Sequence, residues 1–283
     1  MQAFFDMVAS IFEYSFLWRS FVAAIMIGSL CSLLGVFVVL KGLSFAGAGI
    51  AHGAFAGVAF AFLIGANPFL MGLVFALAMV LMVGVSSQKG NLNVDASIGI
   101  LFAVTMALAI LFIGMMKQYN TELFSFLFGN ILAVTETDLI YMSLIFFGVI
   151  AVLLIGFRAF YYWAFDEIMA EASGILMPQV FYLFLSLLAF AIVASLKVVG
   201  ELLVNAFIII PAASSYQLTY SFKKMAVYSV LLGAFASVTG LVLSFIYDIP
   251  SGASIVIILG LEFLICTIIS PKKRWHKAAK PID

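Results

Sequence analysis

Four ionisable side chains stand inside or at the edge of long apolar runs: His52, Lys197, Glu201 and Glu262. Charged groups at membrane depth are costly, usually face a bundle interior, and by default mark a route for ions or protons. Glu201 and Asn205 are four positions apart, so one helix face carries both, shortly before Pro211. With His52 they offer a cation an imidazole nitrogen, a carboxylate and an amide oxygen. Glu201 falls near the outer end of its run, and reads either as part of such a route or as a wet residue at the helix end. The motifs of other chemistries are missing. No G-x-x-x-x-G-K-[ST] loop is present to cradle a nucleotide phosphate, and no H-E-x-x-H helix to hold zinc. The only other histidine, His276, lies in a basic tail and reads as solvated. A hydrolytic triad would have to use His52 as its base, and no serine elbow accompanies it. The chemistry on offer is cation handling, and the chain is not expected to be an enzyme.

These residues need a membrane-spanning scaffold. Of the 283 residues, 66% are hydrophobic and 9% charged, and mean hydropathy is +1.27. Soluble domains carry about 25% charged residues, so a globular soluble protein is excluded. Lipid cannot satisfy open backbone polar groups, and runs of this length make helices rather than barrel strands. The fold class is therefore an all-α polytopic membrane protein. A net charge of zero argues against a nucleic-acid partner. Cys31 and Cys266 fall inside apolar runs and read as packing residues. About nine transmembrane helices are expected, near 20–40, 45–64, 68–86, 95–116, 136–160, 178–196, 200–219, 225–247 and 253–270. Pro68, Pro178, Pro250, Pro271 and Pro281 fall at or beyond the boundaries, where a missing amide donor costs least. Pro211 lies inside the seventh span and predicts a kink or break there.

The second span holds His52 beside a stripe of small residues, Gly49, Gly53, Gly57, Ala61 and Gly65. Such a stripe lets a neighbouring backbone approach closely, as helices in lipid often do. Residues 1–18 carry aromatic and aliphatic side chains at helical spacing and read as an interfacial segment. Residues 117–135 contain FSFLFGNILAV, too apolar for a loop and too short to span, which suggests an outer re-entrant or interfacial helix. Residues 163–177 read FDEIMAEASGI between two spans, a short cytoplasmic helix ending at Gly174. A basic tail, 271–283, follows the last span. Residues 1–283 thus read as a single transmembrane domain without internal repeats. Placing the tail in the cytoplasm puts only Arg19, Lys117 and Lys197 among the basic residues outside, as the positive-inside rule favours. The outer side then holds Asp6, Glu13, Glu122, Glu136, Asp138, Glu201 and Asp248. They form either a mouth that concentrates cations or ordinary solvated loop charge.

The stretch GVFVVLKGLSFAGAGIAHGAFAGVAFAFLIGANP resembles the first third of the permeases of bacterial ABC importers for zinc, manganese and iron. The likeness continues through SIGILFAVTMALAI, LFGNILAV, FDEIMAEASGI, KVVGELLVNAFIIIPAAS and YDIPSGASIVI, in order and over nearly the whole chain. It implies a type II ABC importer-like permease fold, a second copy of the chain, cytoplasmic ATPase subunits and an extracytoplasmic metal-binding protein. It also implies a multi-pass location in a bacterial or archaeal cell membrane. It further implies that no cofactor is bound permanently and that ATP acts only through the partner. Asp166, Glu167, Ala170, Glu171, Ala172 and Gly174 match the coupling helix that docks on the ATPase. Many such permeases read S-F-x-G-D-x-x-x-H, with Asp and His as a metal-handling pair. Here Ser44, Phe45, Gly47 and His52 are kept, but Ala48 stands in place of the Asp. We expect Glu201 to supply the missing negative charge from another helix. Zinc is favoured over manganese or iron because imidazole suits it. The alternative is a self-sufficient secondary carrier or channel for cations.

Overall fold

The computed structural model describes residues 15–90, 92–116, 121–165 and 167–272. The expected interfacial segment before Ser15, Lys117, Asp166 and the tail beyond Lys272 lie outside the described residues. Among those described, nine helices are long and apolar enough to cross a membrane. They are α1 (Ser15–Leu40), α2 (Ala46–Ile64), α3 (Pro68–Lys89), α4 (Val94–Met115), α6 (Glu136–Ile155), α9 (Met177–Val199), α10 (Glu201–Leu218), α11 (Phe222–Tyr247) and α12 (Ser251–Ile269). Three short helices join them: α5 (Thr121–Phe128), α7 (Phe157–Phe165) and α8 (Glu167–Ala172). The face that carries Arg19, Asn67 and Glu136 is called outer, following the distribution of basic residues.

Local chemistry sets the ends. Gly65 takes a left-handed φ of 72° to close α2. Asn67 then accepts from the amides of Phe69 and Leu70 at 2.9 and 3.2 Å, with Pro68 fitted to the first helical turn. Two expectations need correcting. The span placed at 136–160 stops at Ile155. Gly156 closes it, with the Phe160 ring packed where a side chain would stand, its Cε2 2.9 Å from the Cβ position, and α7 follows from Phe157.

The second concerns Pro211: of the kink or break expected there, the break is absent. α10 runs unbroken through it from Glu201 to Leu218. Proline removes the donor for the carbonyl four residues earlier, that of Phe207. Ser32 of α1 donates its hydroxyl to that oxygen at 3.3 Å, and Ser229 of α11 donates to the Ser32 carbonyl at 2.7 Å. A neighbouring helix thus replaces the lost bond, as lipid-embedded helices require.

The core is built from α1, α2 and α9, each 67% buried over its most apolar window, whereas α4 and α6 are 17% buried. Close backbone approach explains the tight seam between α1 and α10. A Cβ at Gly35 would run into the Ile208 carbonyl oxygen. That contact also fixes depth. Glu201 precedes Ile208 by seven residues on a helix parallel to α1, so it lies roughly 18–20 Å from either end of α1 at 1.5 Å per residue. Glu201 is therefore near mid-membrane though at the outer end of its own helix, and at 2% exposed it is not wet. The outer half above it is filled by α5 and a short 3-10 turn, Ile131–Ala133, which bury Leu123, Phe126 and Ile131. α5 packs on α2, α9 and α10. At the inner end, Phe222 of α11 meets Phe37 of α1 and Phe157, Tyr161 and Phe165 of α7.

Candidate cation site

His52 sits two turns into α2 and Glu201 in the first turn of α10. Their helices pack antiparallel, and His52 Nδ1 lies 2.7 Å from Glu201 Oε1. The approach misses the angle of a hydrogen bond. His52 Nδ1, both Glu201 carboxylate oxygens and Asn205 Oδ1 are accordingly buried polar atoms without hydrogen-bond partners. Buried polar atoms left in this state cost free energy unless a proton, ion or water satisfies them. Here they share two facing helices. Gly47 makes room for Asn205: a Cβ there would stand 3.1 Å from the Asn205 Oδ1. Phe102 of α4 closes another side, its ring perpendicular to the imidazole with centroids 4.3 Å apart.

The donor set is one imidazole, one carboxylate and one amide. Among the described residues, no three His, Cys, Asp or Glu side chains converge. Such a sparse set suits transient coordination rather than tight capture, since conduction requires release. Glu262 does not join it. It lies on α12, 8% exposed, with both carboxylate oxygens also lacking hydrogen-bond partners. Cys31 is fully buried, 3.9 Å from Ser195 Oγ.

The glycine stripe faces α3 and α4. A Cβ at Gly49 would stand 2.6 Å from Ile98 Cγ2, one at Gly53 3.1 Å from Met79 Cβ, and one at Gly57 would meet the Met71 carbonyl. On the inner side, α8 ends in a Schellman turn. The Ile175 amide donates to the Ala170 carbonyl and the Gly174 amide to the Glu171 carbonyl, with Gly174 at φ 76°. Ala170 is buried, while Glu171, Ala172 and Gly174 are exposed. Of the expected short helix within 163–177, the described residues show Glu167–Ala172 helical, and Trp163, 3% exposed, lies in α7.

Sequence reading missed three features. Phe102 over His52 gave no signal, being one of many apolar residues in its span. The ion pair between Asp138 and Lys197 joins residues 59 positions apart. Gly129 and Gly200 pack backbone to backbone, both at positive φ (75° and 80°), a contact that only their composition hints at.

Among the described residues, nine membrane-length helices bundle around a buried imidazole–carboxylate contact, the build of a polytopic membrane transport protein. Residues 13–270 match the ABC 3 transport family, and the chain belongs to it. It is 36% identical over 270 residues to the manganese transport system membrane protein MntC of Halalkalibacterium halodurans, covering 95% of this chain and 91% of the relative. It is 34% identical over 272 residues to the manganese import system permease protein ScaB of Streptococcus gordonii, covering 96% and 98%. The solved structure of PsaBC from Streptococcus pneumoniae in complex with a Fab superposes with a TM-score of 0.87 at 34% identity, covering 97% and 99%. The chain is a multi-pass plasma-membrane permease and not itself an enzyme.

Proposed function

We propose that this permease carries manganese into the cell, driven by a separate ATPase and fed by an extracytoplasmic metal-binding protein. One observation carries the reading: the His52–Glu201 contact of 2.7 Å near mid-membrane, amid buried polar atoms that lack partners. A divalent cation passing between α2 and α10 would satisfy them in transit. Relatives named for manganese favour that metal over the zinc expected from one imidazole. The donor set agrees, because carboxylate and amide oxygens suit manganese better than a lone imidazole does. Glu201 fills the role of the carboxylate absent at Ala48.

The inner surface supports an ATPase partner. α8 presents Ile168, 81% exposed, beside exposed Glu171, Ala172 and Gly174. A self-sufficient carrier has no use for such an apolar protrusion on a cytoplasmic turn. A second copy of the chain would complete the pore. The decisive experiment is metal uptake by vesicles holding the full complex, offered manganese, zinc and iron in turn. Manganese uptake lost in His52→Ala and Glu201→Ala supports the reading, and wild-type uptake in either variant sinks it.

A further inference from the structure

Asp138 stands in the first turn of α6 and Lys197 in the last turn of α9. The Lys197 ammonium donates to both carboxylate oxygens, at 2.8 and 2.9 Å. The carboxylate is 15% exposed and is also held by its own helix cap. Thr135 caps α6, donating its hydroxyl to Asp138 Oδ2 at 2.6 Å and its amide to the same oxygen at 3.2 Å. The nearby Arg19–Glu136 pair is different in kind: at 3.5 Å, with Glu136 79% exposed, it is a solvated contact of little weight.

The short link between Lys197 and Glu201 makes the pair consequential. One residue, Gly200 at φ 80° and ψ 161°, separates α9 from α10, and Glu201 is the next. Gly129 lies against Val199 and Gly200 so closely that neither glycine leaves room for a Cβ. With so short and confined a link, the last turn of α9 dictates where the Glu201 carboxylate points. Lys197 and Asp138 also line an outer cavity of about 620 Å³.

We propose that the Asp138–Lys197 ion pair is a latch that holds the α9–α10 link and so positions Glu201 opposite His52. The two are positioning residues for cation binding, and the inference rests on the reading of His52 and Glu201 as cargo ligands. The test uses the full-length chain in lipid nanodiscs, with Mn²⁺ alone as the probe and the free ion counted by electron paramagnetic resonance. Asp138→Asn keeps a capping oxygen but removes the charge, and Lys197→Gln removes its partner. Each is expected to weaken Mn²⁺ binding roughly tenfold, as outer-shell substitutions at metal sites do. The double variant is expected to be no worse than either single, because one interaction is lost only once. Lys197→Arg, which keeps a two-pronged pair, is expected to bind like wild type. His52→Ala and Glu201→Gln serve as the reference. If those two leave Mn²⁺ binding unchanged, the cargo site itself is misassigned. If they abolish it while Asp138→Asn and Lys197→Gln bind like wild type, or Lys197→Arg fails like Lys197→Gln, the latch is refuted.

Discussion

Ser32 donates its hydroxyl to the Phe207 carbonyl, the one acceptor in α10 that Pro211 deprives of its amide donor. This relationship predicts a conditional energy. Ser32→Ala leaves a buried carbonyl unpaired, and interhelical hydrogen bonds of this kind contribute about 1 kcal/mol in lipid. In a Pro211→Ala background the amide at 211 returns, so the same serine change should cost much less. Unfolding in mixed micelles across the four variants measures it. Equal costs in both backgrounds would show that Ser32 does not serve the proline.

Close packing of α2 on α3 gives a prediction with its own control. A Cβ at Gly57 meets the Met71 carbonyl and stands 2.7 Å from Phe75 Cβ, whereas one at Gly99 on α4 meets nothing within 4 Å. Overpacking of this kind costs about 1–3 kcal/mol. Gly57→Val should lower the melting temperature of the purified protein, and Gly99→Ala should leave it in place. If Gly57→Val melts like wild type, α2 and α3 are not packed as described.

The spans were legible in the sequence because each is an apolar run bounded by proline, glycine or charge, and lipid allows little else. The His52–Glu201 contact was not. Local spacing places Glu201 and Asn205 on one face, but only the register between α1 and α10, fixed at Gly35, sinks them to mid-membrane. Of the kink or break expected at Pro211, the break is absent for the same reason, since the donor for the freed carbonyl comes from Ser32 on another element. The sequence places Asp138 among the outer acids and Lys197 as a charge at the edge of an apolar run, and their pairing belongs to tertiary structure. Gly174 could be read in advance because a helix C-cap is a local device.

Gly174 separates docking from folding. Its φ of 76° disfavours any other residue by roughly 1–2 kcal/mol. Around it, however, lies open space within the protein. Gly174→Ala carries the backbone strain alone, and Gly174→Arg adds bulk that only a docked partner would feel. Co-purification of the ATPase subunit is expected to survive the first change and to fail with the second. Retention of the ATPase by Gly174→Arg would mean that the α8 turn is not the docking surface.

Ala48 lies one turn before His52 on the same face of α2, half-buried, and Glu201 approaches the imidazole from α10. If the cation needs one carboxylate beside His52, its source should be exchangeable. Glu201→Ala is expected to lose manganese uptake in vesicles carrying the full complex. Adding Ala48→Asp should restore a large part of it, because Asp and His four apart on a helix present both ligands together. Ala48→Asp alone would put two carboxylates on one cation, tightening binding and slowing release, so uptake should fall at saturating metal. The arrangement is wrong if the double variant transports no better than Glu201→Ala while remaining folded and bound to its ATPase. Recovery would mean that the negative charge has moved between helices without changing what the site does.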